Sequence, residues 1–250
     1  MDCIFKIPNG LPIYLVGKLV NDFDPIFCQV CKESVRFLGA RDHLSVILKI
    51  SASPQCDPKY ASNLNISYAF DNTNELKTNI NWFRTKSNAR KNIMLKISPH
   101  EDLLQLSNRN VKAELRSFIK DPPIPIIPEM NEGICVKIID LKEMANQVRS
   151  IKGEVVKLKY YKNKLEMNGV EYELPIYKIP TQNPLFMMED DDEENKTTYC
   201  LKQMLLISSQ LASEFEPNSA ELRFYPGGAL QLNSRGNYLS VLCLMTKVKI

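Results

Sequence analysis

Asp121–Pro128, DPPIPIIP, lies near the middle of a 250-residue chain and divides it almost in half. Pro122, Pro123, Pro125 and Pro128 each fix φ and push the preceding residue towards extended geometry, which excludes helix and predicts an exposed extended strap. Ile124, Ile126 and Ile127 make this strap more apolar than an ordinary linker. Outward from it, both sides read as the same succession: a short strand, an amphipathic helix, several strands, a second helix, then closing strands. Two similar halves joined by a stiff apolar strap are therefore expected.

Before the strap, Met1–Ile7 reads as a strand closed by Pro8, Asn9 and Gly10. Leu11–Phe23 then places Leu11, Leu15, Val16, Leu19, Val20 and Phe23 at helical spacing, with Pro12 tolerated in the first turn and Lys18 and Asn21 off the apolar stripe. Alternating runs predict strands at IFCQVCK (26–32), VRFLGA (35–40), LSVILKI (44–50) and Ile66–Phe70, with a loop at 51–63. Thr73 can cap a second helix to about Asn88, with Leu76, Ile80 and Phe83 inward and Lys77, Asn81, Arg84 and Asn88 outward. Strands at Ile93–Ile97, Asp102–Leu106 and Val111–Phe118 close the half.

After the strap come a strand at Gly133–Ile139 and a capping-box pattern at Asp140 and Glu143. The third helix carries Leu141, Met144, Ala145, Val148 and Ile151 on one stripe, shows Lys142, Asn146 and Arg149 on the other, and stops at Gly153. Strands are expected at Val155–Tyr160, Lys164–Met167 and Tyr172–Ile179, with a turn at Asn168-Gly169. A fourth helix is expected over Tyr199–Phe215, ended by Pro217, then strands at Ala220–Tyr225, Ala229–Asn233 and Tyr238–Val248. The fold class is α+β: two similar β-rich domains, each with two helices on one sheet face, at residues 1–118 and 132–250 with a connector at 119–131.

Composition bounds the function. With 44% hydrophobic and 24% charged residues the chain reads as globular. No apolar run reaches the roughly 18 residues of a bilayer span, and the N-terminus lacks a basic region followed by a long apolar one, so a protein neither secreted nor membrane-bound is expected. Seven cysteines without a framework point to reduced thiols in an intracellular compartment. Cys28 and Cys31 form a lone CxxC in a strand-like run, where i and i+3 face opposite ways, a poor arrangement for a metal. Net charge is +3, and the acids concentrate in Glu189–Glu194, EDDDEE, which leaves the remainder distinctly basic. That run reads as a solvated loop. Only His43 and His100 are available, no Gly-rich phosphate loop occurs and no catalytic spacing stands out, so neither an enzyme nor a cofactor or metal is expected.

Two stretches carry a resemblance. GARDHLSVILKI (Gly39–Ile50) resembles the segment of the proliferating cell nuclear antigen (PCNA) family in which a Met-Asp turn leads to a histidine and an alternating strand. IPEMNEGICVKIIDLKEMA (Ile127–Ala145) resembles the end of that family's interdomain connector and the start of its second domain. Element order, length and the C-terminal strand LSVLCLMTKV agree across essentially the whole chain. The chain departs from the family in its less acidic composition, in Gly39 where a methionine precedes the histidine, and in Met245-Thr246 where Ala-Pro is usual.

The resemblance implies the DNA clamp, or processivity, fold. It further implies a DNA sliding clamp, a closed trimeric ring around double-stranded DNA that tethers DNA polymerase and other replication or repair proteins. Such a tether needs phosphate attraction spread over a surface, with no base reading. Lys18, Lys77, Arg84, Lys142 and Arg149 on polar helix faces are the candidates, extended by Lys86, Arg90 and Lys91, with Lys202 alone on the fourth helix. Clamp-binding peptides would be captured by Ile124, Ile126, Ile127 and Pro128 of the strap together with His43, Leu44 and Val248. By resemblance, subunits close through Val111–Phe118 of one chain against Tyr172–Ile179 of the next, a clamp loader opens the ring, and the protein resides in the nucleus or a viral replication compartment. Alternatives of the same fold are a subunit of a heterotrimeric DNA-damage checkpoint clamp and a monomeric or dimeric viral processivity factor. A scaffold that kept the fold and lost DNA is a further one.

Overall fold

The structure, a computed structural model, describes residues 3–7, 10–41, 43–52, 54–55, 65–70, 78, 92–98, 103–107, 112–116, 118–119, 134–138, 141–161, 164–168, 170–172, 176–179, 196–213, 220–225 and 228–248. The chain forms two compact units. The first comprises Met1–Arg41, Ile47–Ile124 and Asn237–Ser240, the second Asp42–Val46, Pro125–Gly236 and Val241–Ile250.

The first unit contains β1 (Cys3–Ile7), α1 (Leu11–Asp22), β2 (Ile26–Cys31), β3 (Ser34–Arg41), β4 (Leu44–Ser51, from Ile47 on), β5 (Pro54–Gln55), β6 (Asn65–Phe70), β7 (Ile93–Ser98), β8 (Leu103–Ser107), β9 (Lys112–Arg116) and β10 (Phe118–Ile119). Its strands run in the orders β5-β1-β7-β8-β9 and β10-β6-β2-β3-β4. α1 starts without a side-chain cap, with Pro12 in its first turn, where the missing N–H costs nothing. It buries Leu15, Val16 and Leu19 of the expected stripe, with Phe23 just beyond its end, but leaves Leu11 half-buried and buries Ile13, which the stripe did not include; Tyr14 and Lys18 are half-buried and Asn21 exposed.

The second unit contains β11 (Ile134–Ile138), α2 (Leu141–Ser150), β12 (Val155–Tyr161), β13 (Lys164–Met167), β14 (Val170–Tyr172), β15 (Ile176–Ile179), β16 (Lys196–Leu201), α3 (Lys202–Ala212), β17 (Ala220–Phe224), β18 (Leu230–Arg235) and β19 (Leu239–Met245, from Val241 on). Its orders are β14-β13-β12-β16 and β15-β11-β17-β18-β19. α2 buries Leu141, Met144, Ala145 and Val148, as expected. Asn168, at φ 51, makes the β13–β14 turn, a conformation asparagine tolerates better than most residues.

Laid side by side, the two sets of orders are one topology. The first strand of each unit (β1, β11) is followed by a helix and sits between a short strand (β5, β15) and a later one (β7, β17). The second strand (β2, β12) pairs antiparallel with both the third (β3, β13) and a later strand (β6, β16). Register repeats as well: Phe27 opposes Ala69 in one unit and Lys157 opposes Tyr199 in the other, both pairs displaced by 130 positions. The internal repeat read from element order is therefore a repeat of hydrogen-bonded register.

Several expectations needed correction. The fourth helix does not begin at Tyr199: Lys196–Leu201 is β16, paired along β12, and the helix starts at Lys202 and ends at Ala212. The Tyr199-Cys200-Leu201 run is apolar enough for either state, and the ladder it completes decides for strand. Tyr172–Ile179 is not one strand, since β14 pairs with β13 and β15 with β11 in a different sheet. Val111–Phe118 is likewise divided: β9 pairs with β8, while Phe118 and Ile119 pair with β6. Within the expected loop 51–63, Pro54 and Gln55 pair with β1. Of the helix expected at Thr73–Asn88 only Thr78 is described, and it is helical.

Gly39 lies inside β3 with the Phe23 ring against it. A Cβ built there would stand 2.5 Å from Phe23 Cγ, so the position where the PCNA family carries methionine has no room for any side chain here.

Candidate nucleic-acid interface

The helix surfaces are built by the strands that deliver them. β1 ends at Ile7 and β11 at Ile138, and Lys18 and Arg149 each lie eleven residues beyond those ends. Both cations thus come from the helix that follows the first strand of a unit, Lys18 as the eighth residue of α1 and Arg149 as the ninth of α2. On α1, the Lys18 ammonium stands 4.9 Å from the centroid of the Tyr14 ring, a cation–π contact at i, i+4 spacing. On α2, Lys142, Asn146 and Arg149 are exposed at spacings of four and three, with Arg149 Nη1 3.4 Å from Asn146 Oδ1. Glu143 sits on the same exposed side and accepts from Gln147 Nε2 at 2.7 Å.

α3 differs. Gln203 is exposed and Leu206, Ile207 and Gln210 are half-buried, while Lys202, its one basic residue, turns its ammonium to the carbonyl oxygens of Arg149, at 2.9 Å, and of Ile151. Among the described residues of the helices, exposed positive charge therefore sits on α2, with Lys18 half-buried on α1. Lys77, Arg84, Lys86, Arg90 and Lys91 lie outside the described residues.

Of the residues assigned to peptide capture, Ile124, Ile126, Ile127 and Pro128 lie outside the described residues, and His43, Leu44 and Val248 belong to the second unit. Leu44 is core, 2% exposed. His43 is joined twice to Thr246: Nδ1 lies 2.8 Å from Thr246 Oγ1, and the Thr246 amide donates to the His43 carbonyl at 2.9 Å. Val248 N–H donates to the Tyr199 carbonyl at 3.1 Å, and the Lys247 stem passes over Gly228, where a Cβ would meet it at 2.7 Å. Residues 246–248 are thus fastened to the rest of their unit at three places. Sequence reading passed over Thr246. Its one signal was the departure from the family's Ala-Pro, since a threonine at the proline position brings a hydroxyl and an N–H that proline lacks.

Among the described residues Cys3, Cys28, Cys31, Cys200 and Cys243 form no disulfide, and burial pushes Cys200 and Cys243 up to about 12 and Cys28 higher still. Cys28 is fully enclosed and Cys31 only partly, as opposite facing in a strand predicts. Among the described residues no group of three His, Cys, Asp or Glu side chains could hold a metal ion, and no helix is long and apolar enough to cross a membrane.

At the sheet margins, β9 is the last strand in its order and β14 the last in its own. The outer strand β9 carries an exposed pair, Lys112 Nζ to Glu114 Oε1 at 2.7 Å. The hydrogen bond from Lys112 holds the Glu114 carboxyl below its ordinary value.

No family model matches the chain, and no curated protein matches it in sequence. Solved structures do. The chain is similar to the proliferating cellular nuclear antigen of Entamoeba histolytica, with a TM-score of 0.72 at 11% identity over 99% of both chains. It is similar as well to the PCNA2–PCNA3 complex of Sulfolobus tokodaii, with a TM-score of 0.70 at 10% identity over 98% of both chains. The fold is that of a divergent PCNA-like clamp.

Proposed function

We propose that the chain is a subunit of a DNA sliding clamp: a non-enzymatic, ring-forming processivity factor that encircles duplex DNA and holds polymerases and other replication or repair proteins on it. The observation that carries the proposal is the repetition of one strand order and register in both units, each with a cation on the helix that follows its first strand. The full-length likeness to clamp structures supports it. Duplicated modules give a ring several equivalent helix surfaces. Exposed Lys142 and Arg149 beside Asn146 suit phosphate contacts spread along a duplex. Subunits join through sheet margins such as β9, a clamp loader opens the ring, and partners bind through short peptides at the strap and the C-terminal segment. Residence is in the nucleus or a viral replication compartment.

Light scattering on the purified chain, followed by retention on circular against linearised plasmid, tests this. A clamp is a trimer that stays on a closed circle at salt where free binding is lost and falls off when the circle is cut. Equal retention on both topologies would sink the proposal. A hetero-oligomeric ring, as in a checkpoint clamp, is the second reading, favoured by the likeness to a complex of two different PCNA chains. There the chain alone stays monomeric and the ring forms only with its partners.

A further inference from the structure

We propose that Lys202 is a positioning residue that fixes the last turn of α2, and with it the cationic face of that helix, and that it does not itself contact phosphate. The inference rests on the sliding-clamp reading only where it concerns DNA; the coupling of Lys202 to α2 stands apart from it.

Register sets up the contact. β16 pairs with β12 out to Leu201 opposite Val155, so the next residue, Lys202, arrives beside the connection between α2 and β12. There it makes three bonds to one short segment. Its amide donates to the Glu154 carbonyl at 2.7 Å, and its ammonium donates to the carbonyls of Arg149, at 2.9 Å, and Ile151. The last carbonyls of a helix have no partner within it, and that end carries partial negative charge, so an ammonium from outside serves both needs. Ser150 Oγ covers another of them, the Gln147 carbonyl, at 2.8 Å. The chain then leaves through Gly153 at φ 94, a left-handed conformation that costs glycine little.

Two consequences follow. Of the three donors of an ammonium, one is spent on the last turn of α2 and one on the residue that follows it, which draws the charge away from the outward surface of α3. Arg149, which supplies one of the accepting carbonyls, also supplies the exposed guanidinium, so the bond that ends the helix holds the backbone from which that side chain extends. A lysine that looks like one more cation on a fourth helix instead sets where the cations of the third are held.

Two measurements on Lys202→Met, Lys202→Arg and wild type decide the matter. The first is amide hydrogen exchange over residues 147–152. Lys202→Met speeds exchange there about tenfold and Lys202→Arg largely restores it, while α1 in the other unit is unchanged and reports that the protein remains folded. The second is the salt dependence of duplex binding. Each phosphate contact contributes about 0.9 to the slope of log K against log salt. Lys202→Met keeps the wild-type slope and weakens binding about threefold to tenfold, whereas Lys142→Ala lowers the slope by about 0.9. Unchanged exchange in Lys202→Met, or a slope reduced by about 0.9 in that variant, overturns the proposal. Should wild type bind no duplex at any salt, the sliding-clamp reading fails, and exchange alone still decides whether Lys202 holds α2.

Discussion

The two units share a strand order and diverge in what their equivalent positions face. In the first, Phe27 and its register partners Leu38 and Ala69 are all buried and form an apolar cluster, with Ile47 packed against it. In the second, the pair at the same register is Lys157 and Tyr199, the lysine exposed and the tyrosine half-buried. The inner face does not vary in this way: Cys28 and Tyr68 in one unit and Leu158 and Thr198 in the other are all buried. The difference teaches which face specifies the fold. The face towards the helices must exclude water in both units, because burying an apolar side chain is worth roughly 1.5–3 kcal/mol. The other face is free to be apolar or charged.

The helices repeat the lesson. α1 covers its exposed side with a Tyr14–Lys18 contact and α2 with Lys142, Asn146 and Arg149, over apolar stripes that do the same packing. If that equivalence is real, truncating each stripe costs alike. Leu19→Ala and Met144→Ala, both at fully buried positions, are each expected to lower stability by about 2–5 kcal/mol in chemical denaturation. A cost below about 1 kcal/mol in one unit alone would break the comparison.

A smaller effect is expected where the units part. Gly39→Ala drives a methyl into the Phe23 ring and should cost about 1–3 kcal/mol, partly recovered when Phe23→Leu is added. Failure of the second change to recover anything would mean that the ring is not what excludes the side chain. Smallest in stability is the loss of surface charge. Lys142→Ala with Arg149→Ala should change stability by no more than about 0.5 kcal/mol while removing about 1.8 from the salt slope of duplex binding. Lys18→Ala should remove about 0.9, and a slope unmoved by that change would take Lys18 out of the phosphate-contacting set.

Much of this was legible beforehand. α1 and α2 were readable because their apolar residues fall at 3.6-residue spacing over several turns, and the stripe Leu141, Met144, Ala145, Val148 came out as written. The start of α3 was not, because Tyr199 to Leu201 satisfies either period, and only the presence of β12 alongside makes it a strand. Nor could Tyr172–Ile179 be divided from its letters, since the partners of β14 and β15 lie in different sheets. At the candidate site, Lys142 and Arg149 were found from helical spacing and are exposed, whereas the bonds of Lys202 and of His43 with Thr246 link residues 51 to 203 positions apart, a distance no local pattern encodes.

The amino-acid order by itself determined the helical period of α1 and α2, the duplication of element order and the side of α2 that turns to water, since these depend on the polarity of near neighbours. Which strand each segment pairs with, why Gly39 must lack a side chain, and where the Lys202 charge is spent were decided only in three dimensions. There, hydrogen bonds and close packing are settled by whichever distant groups the topology brings within reach.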